Sequence, residues 1–260
     1  MFRASTSNVI SAAAVRQMIE KKSTNGELVK FFDQYMSIIE KDACGFLTAS
    51  ADSYGGYQVQ LADAFKHLTW SVIENVITQK FGLKAARIFR VVKCKKFIEQ
   101  DDIQREAMIP AREARLFTYN LMENNFIQIQ SIKKSGTNSG PAKPFFLFHV
   151  NQQRIARDLI ETCYKALLNA KIRVTQDKEA NKRLMEKSLR LQFFIESLKE
   201  RGESEENIQE INETITPPEK EIVDRTKMRL KRLENSQSMI DEQLLLLQLF
   251  IHYQTPVSSR

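Results

Sequence analysis

The spacing of apolar positions along this 260-residue chain changes repeatedly, and each change marks a predicted element. Ser7 to Lys21 and Glu27 to Lys41 read as helices, and two short strands, Phe46 to Ala49 and Gly55 to Leu61, follow around a turn at Asp52 to Gly56. From Leu61 to Phe81, Leu61, Phe65, Leu68, Val72 and Val76 recur at helical spacing, and Gly82 is placed to end that helix. Lys84 to Ile103 predicts a helix with Ala85, Ile88, Phe89 and Val92 inward, then a short extended FIE and a second short helix. Ala107 to Phe126 predicts a third, with Pro110 in its first turn and Ala114, Phe117 and Leu121 as the buried stripe. Phe126 to Ile132 alternates as a strand, Lys133 to Lys143 is rich in turn residues, and Pro144 to Val150 is a second strand. Three helices followed by strand, loop and strand are a winged helix. The first sixty residues read as an abbreviated version of the same design.

Beyond Asn151 the strand signals vanish and Glu, Lys, Arg, Gln and Leu take over, all strong helix formers. Ile155, Leu159, Cys163, Ala166 and Ala170 line one face; after a polar interval through Lys182, Leu184, Leu191, Ile195 and Leu198 resume it. A second helix runs from about Pro218 to Tyr253. Its Thr226, Leu230, Leu233, Gln237, Ile240, Leu244, Leu247 and Ile251 alternate steps of four and three, the seam of a coiled coil. The acidic connection from Gly202 to Thr216 lets the two helices fold back on each other. The expected class is mainly α with small β-hairpins: two winged-helix modules followed by a long antiparallel coiled-coil hairpin. The division is 1–61 for the abbreviated module, 62–150 for the winged helix with a preceding linker helix, and 151–260 for the hairpin.

Composition narrows the function. The 39 basic and 32 acidic residues favour a polyanionic neighbour. Cys44, Cys94 and Cys163 are odd in number and far apart, which predicts neither a disulfide framework nor a metal knuckle and fits a reducing compartment. No apolar run has the eighteen or so residues of a membrane span. His67, His149 and His252 lie in no zinc or nucleophile motif, and the SGTNSG stretch at Ser135 to Gly140 lacks the lysine of a phosphate-cradling loop. The reading is a protein with no catalytic residues, no metal and no cofactor.

The candidate chemistry is therefore electrostatic. Arg112, Arg115 and Tyr119 share one face of the third helix, the position from which winged helices reach a major groove; the alternative is a solvated face that also carries Glu123. Lys133, Lys134 and Lys143 have no carboxylate near them in the wing, so phosphates could approach with counterion release; the alternative is a flexible solvated loop. Arg87, Arg90, Lys93, Lys95 and Lys96 make the first helix basic, with Arg90 and Lys93 as its candidate DNA contacts. At the C-terminal helix, Leu245, Leu246, Leu249 and Phe250 widen the apolar surface beyond a two-helix seam, which makes Leu244, Leu245, Leu247, Leu249 and Phe250 the candidate docking residues. Either the winged helices or a partner subunit covers it.

The chain also carries ARIFR at Ala86 to Arg90, AMIPA at Ala107 to Ala111, ENNF at Glu123 to Phe126, FFLFHVN at Phe145 to Asn151, EANKRLMEKS at Glu179 to Ser188 and ITPPE at Ile215 to Glu219. In order and wording these resemble one family, the large tandem-winged-helix subunit of the RNA polymerase III initiation heterotrimer, itself similar to the alpha subunit of general transcription factor IIE. Members of that family are longer and begin with two further winged helices, so this chain corresponds to their C-terminal half. The resemblance implies a nuclear, non-catalytic polymerase subunit that assists promoter opening and transcription initiation. It implies as partners two further heterotrimer subunits, the clamp of the largest subunit, and DNA held through its phosphates, with no membrane and no small-molecule substrate. A free-standing dimeric winged-helix regulator and a purely protein-binding scaffold are the alternatives.

Overall fold

The computed structural model describes residues 8–22, 26–50, 55–133, 144–201 and 214–254. Their elements, in order, are β1 (Ile10–Ser11), α1 (Ala12–Lys22), α2 (Gly26–Lys30), α3 (Phe32–Glu40), β2 (Leu47–Ser50), β3 (Gly56–Val59), α4 (Leu61–Phe81), α5 (Leu83–Lys95), α6 (Gln100–Ala107) and α7 (Ala111–Glu123). β4 (Gln128–Lys133), β5 (Pro144–His149), α8 (Gln152–Ala180), α9 (Lys182–Glu200) and α10 (Pro217–Gln254) complete them. The chain is mainly helical with small antiparallel sheets, as its patterning predicts. It divides into two compact units: Met1–Ile160 with Leu245–Arg260, and Glu161–Leu244. No helix among the described residues is long and apolar enough to cross a membrane.

Within the first unit the winged-helix pattern occurs twice. In the α5–β5 module Ile98 bridges Phe148 of β5, which pairs along its length with β4, so the sheet runs Ile98, β5, β4. The earlier module repeats that order, because β1 pairs with β3 through Ile10 and Tyr57 while β2 pairs with the other edge of β3. β1 has only two residues, too few to announce itself by alternation, and its pairing comes from β3 rather than from local pattern. The Asp52 turn falls outside the described residues, except for Gly55 and Gly56. A small core forms where Phe32 and Leu47 are buried and the Tyr57 ring meets Phe32 edge-on at 6.4 Å.

The α5–β5 module has a larger core. Ala85, Ile88, Phe89 and Val92 are buried as predicted, joined by Ile98, Ile103, Ala107, Ile109, Ala114, Leu121, Phe126, Ile127 and Phe148. Gly82 ends α4 with φ at 86°, a conformation in which any Cβ is strained. Two predicted stripes are displaced. In α7, Thr118 is buried and Phe117 only half so. In α4, Thr69, Val72, Ile73 and Ile77 face inward and Leu68 is exposed. That shift follows from packing: the helix read as a linker lays its second half on α5, bringing Trp70 within 6.0 Å of the Phe89 ring. The far end of α10 reaches the start of α4, where Tyr253 stacks on Phe65 at 5.4 Å and Gln254 donates a hydrogen bond to the Ala62 carbonyl.

The second unit is built from helices alone among its described residues. The long first helix of the predicted hairpin is two, α8 and α9, separated at Asn181, whose side-chain amide donates to the Asp177 carbonyl. α10 opens as a capping-box half: the Thr216 N–H donates to Glu219 at 3.2 Å, with Pro217 and Pro218 in the first turn. Two ion pairs set its direction. Lys187 meets Glu219 at 2.9 Å and Asp177 meets Arg229 at 3.1 Å, so a step of ten residues down one strand of the hairpin matches ten up the other. The arms are antiparallel. Thr226, Leu230 and Leu244 are buried along the seam, and Val223, one heptad step earlier, is buried with them.

Candidate nucleic-acid interface

α7 is positioned by its inward stripe of Ala114, Thr118 and Leu121, and the helical period then sends Arg112, Arg115, Leu116, Tyr119 and Glu123 outward. Arg112 and Arg115 are exposed and make no ion pair among the described residues. Leu116 and Tyr119, each 57 % exposed, occupy the middle of the face. The sequence pattern alone does not single out Leu116. Its one available signal is its spacing of four from Arg112 and three from Tyr119.

The basic helix α5 behaves differently. Arg90 and Lys93 both donate to the Glu74 carboxylate of α4, at 2.8 and 2.9 Å, and the Lys93 ammonium also sits 4.6 Å over the Trp70 ring. Glu74 is 19 % exposed at its side chain. Burial raises its carboxyl, but hydrogen bonds from Lys93 and Arg90 and their charges outweigh burial and hold it below the usual glutamate value. Lys84 pairs with Glu113 at 2.5 Å and Lys95 with Glu106 at 2.9 Å, Arg105 pairs with Asp102, and Arg87 donates to the Ala107 carbonyl at 3.5 Å. From α5 to α7, only Lys96, Arg112 and Arg115 are left without such an engagement among the described residues. The candidate contacts Arg90 and Lys93 thus lie together, sharing the one carboxylate of Glu74, and apart from the α7 group.

The wing itself is the β4–β5 pair, in register from Gln128 opposite His149 to Lys133 opposite Pro144. Lys134 and Lys143 fall outside the described residues, as does the side chain of Lys133. Of the five apolar candidates on α10, Leu244, Leu247 and Phe250 are buried by the chain itself and Leu249 is half-buried, while Leu245 is 57 % exposed. The covering that sequence left open is thus supplied in large part within this chain.

Repeated strand order, a helix offering two arginines without an ion pair among the described residues, and a heptad-seamed hairpin define a tandem winged-helix protein with a helical hairpin. Residues 73–150 match the family model described as "POLR3C, C-terminal winged-helix domain", and residues 183–246 match "DNA-directed RNA polymerase III subunit RPC3, helical hairpin domain". The chain belongs to the family of the RNA polymerase III subunit RPC3. It is 38 % identical over 220 residues to the RPC3 subunit of Homo sapiens, which covers 84 % of this chain and 41 % of the human protein. It is 34 % identical over 221 residues to that of Danio rerio, 85 % of this chain and 41 % of the relative. With the Dictyostelium discoideum subunit the identity is 28 % over 167 residues, 61 % of this chain and 25 % of the relative. The chain therefore spans about two fifths of the length of the vertebrate relatives it matches.

Proposed function

We propose that this chain works as a non-catalytic subunit of DNA-directed RNA polymerase III in the nucleus, assisting promoter opening and initiation. In this reading the outer face of α7 and the wing lysines hold DNA by its phosphates. Two further heterotrimer subunits and the clamp of the largest subunit are its protein partners. The observation that carries the DNA contact is charge pairing: Arg112 and Arg115 on α7 make no ion pair among the described residues, whereas Lys84, Arg90, Lys93 and Lys95 on α5 each meet a carboxylate. Phosphate contacts position a protein without reading bases, so discrimination between sequences is slight. Leu245, the most exposed of the apolar α10 group, is the docking residue.

The test is to express the tagged chain, recover it from nuclear extract and identify what accompanies it. Recovery of the polymerase III largest subunit supports the assignment. A stable homodimer that binds duplex DNA alone and brings no polymerase subunit replaces it with a free-standing regulator. One observation favours a second reading, a protein-docking winged helix: Leu116 and Tyr119 place exposed apolar surface beside the two arginines on the same face. If replacing Arg112 and Arg115 by Ala leaves DNA affinity of the assembled enzyme unchanged but releases a subunit, the scaffold reading stands instead.

A further inference from the structure

The helical hairpin concentrates charge in one place. Lys171 to Lys178 on α8 and Arg225 to Arg232 on α10 hold eight basic side chains, Lys171, Arg173, Lys178, Arg225, Lys227, Arg229, Lys231 and Arg232, and a single acid, Asp177. Their net charge of +7 equals the formal net charge of the entire chain, so everything else is electrically balanced. The Asp177–Arg229 pair at 3.1 Å sets these two spans side by side in the antiparallel hairpin. Glu179, Glu221, Asp224 and Glu234 flank this belt in sequence; Asp224 and Glu234 follow the inward Val223 and Leu233 by one residue and so share the lysine face, while Glu221 is paired with Arg225 at 2.6 Å.

The arrangement around the rod is ordered. Lys171, Lys178, Lys227 and Lys231 each follow an inward-facing position, Ala170, Asp177, Thr226 and Leu230 respectively, by one residue. One residue turns a helix by about 100°, and in an antiparallel pair that same rotation carries both helices' side chains to the same face of the hairpin. All four lysines are exposed, and none has an ion pair among the described residues. Arg173, Arg225, Arg229 and Arg232 each precede an inward position, Val174, Thr226, Leu230 and Leu233, and so lie on the other face, where Arg225 and Arg229 are paired. Eight residues of helix extend about 12 Å, close to the width of a duplex major groove, so the length of the lysine face matches the separation of phosphates across one groove.

We infer that this belt is a second polyanion site, independent of the winged helix, which takes the phosphate backbone of duplex nucleic acid without reading its sequence. Lysine suits such a surface because a compact ammonium on a flexible stem meets phosphates as a point charge. Self-repulsion among closely spaced cations is relieved when phosphates approach and release their counterions.

The full chain is titrated with a fluorescent duplex of about 30 base pairs, without promoter sequence, from 50 to 200 mM salt, the interval in which phosphate contacts dominate affinity. The four-site variant K171S, K178S, K227S, K231S is compared with wild type and with R112A/R115A. The belt predicts that the slope of log affinity against log salt loses about 3 to 4 in magnitude, at roughly 0.9 per contact, with affinity at least about tenfold weaker at 50 mM salt. The α7 variant loses no more than about 2 on the same scale. As a readout that needs no substitution, duplex should protect Lys171, Lys178, Lys227 and Lys231 from acetylation while leaving Lys165, paired with Glu161, reactive. An unchanged slope with no protection overturns the belt, as does a wild-type chain that retains poly-glutamate but no duplex. Loss of slope in the four-site variant alone upholds the belt while removing α7 from DNA contact.

Discussion

Replacing Glu74 by Gln tests the joint between α4 and α5 with little change of shape. The carboxylate is 19 % exposed and accepts from Arg90 at 2.8 Å and Lys93 at 2.9 Å. Charge-assisted bonds contribute roughly 1.5–3 kcal/mol each when sheltered, but Arg90 is more than half exposed and rehydrates on release, so most of its share is screened. The net loss at neutral pH is about 1–2 kcal/mol. Trp70 is the chain's only tryptophan and lies beneath Lys93, so its fluorescence follows unfolding of this module. With a urea m-value of about 1–3 kcal/mol/M, the midpoint falls by roughly 0.5–1 M and the slope of the transition stays unchanged. The pH dependence supplies the sharper criterion. Because folding lowers the Glu74 pKa, its stabilisation is complete above the unfolded value of about 4.3 and disappears as pH drops through the lower folded value. Wild type and variant therefore differ at pH 7 and converge as pH falls below the unfolded value and through the lower folded one. A difference that stays constant across that range, or is absent at pH 7, refutes the electrostatic account of this joint.

Other elements give further predictions. Gly82→Ala meets no atom within 4 Å of the added Cβ, so its cost is backbone strain at φ 86°, about 1–3 kcal/mol by the same Trp70 fluorescence; a neutral result would mean the α4–α5 corner relaxes freely. A double-mutant cycle of Phe65→Ala and Tyr253→Ala should give a coupling of about 0.5–1.5 kcal/mol from their stacked rings, and strictly additive losses would remove that contact from the native state. Leu230→Asp places an unpaired charge in the hairpin seam and should cost at least about 3 kcal/mol, seen as lost helicity by circular dichroism; retained helicity would contradict the seam.

Periodicity made the large elements legible because their burial is decided mainly within the element. Ala85, Ile88, Phe89 and Val92 lie on one stripe of α5, and that stripe is the one buried. Where a neighbour decides, pattern failed. Leu68 is more apolar than Thr69, yet Thr69 faces inward, because the approach of α5 sets the rotation of α4 through Trp70, Val72, Ile73 and Ile77. β1 has two residues and exists through pairing with β3, a contact across more than forty positions that no local window contains. Asn181 divides the predicted long helix by a side-chain bond to the Asp177 carbonyl, competition of the kind that Asn brings to a helix and that composition registers only as a polar interval.

The charged candidates show a different limit. Arg90 and Arg112 are indistinguishable as residue types, and both stand on amphipathic helices with their charge away from the apolar stripe. The structure separates them through Glu74: helix α4 brings this acid against α5, sixteen residues earlier in sequence than Arg90, while Arg112 has no ion pair among the described residues. A cation already satisfied by a sheltered carboxylate must surrender that bond before it can serve a phosphate. A free one surrenders only water and counterions. The same distinction separates the lysine face of the hairpin from Arg225 and Arg229 beside it. Counting basic residues therefore shows only an excess of positive charge, whereas pairing shows which side chains are left free for an anion among the described residues, Arg112 and Arg115 on α7 and Lys171, Lys178, Lys227 and Lys231 on the hairpin being among them.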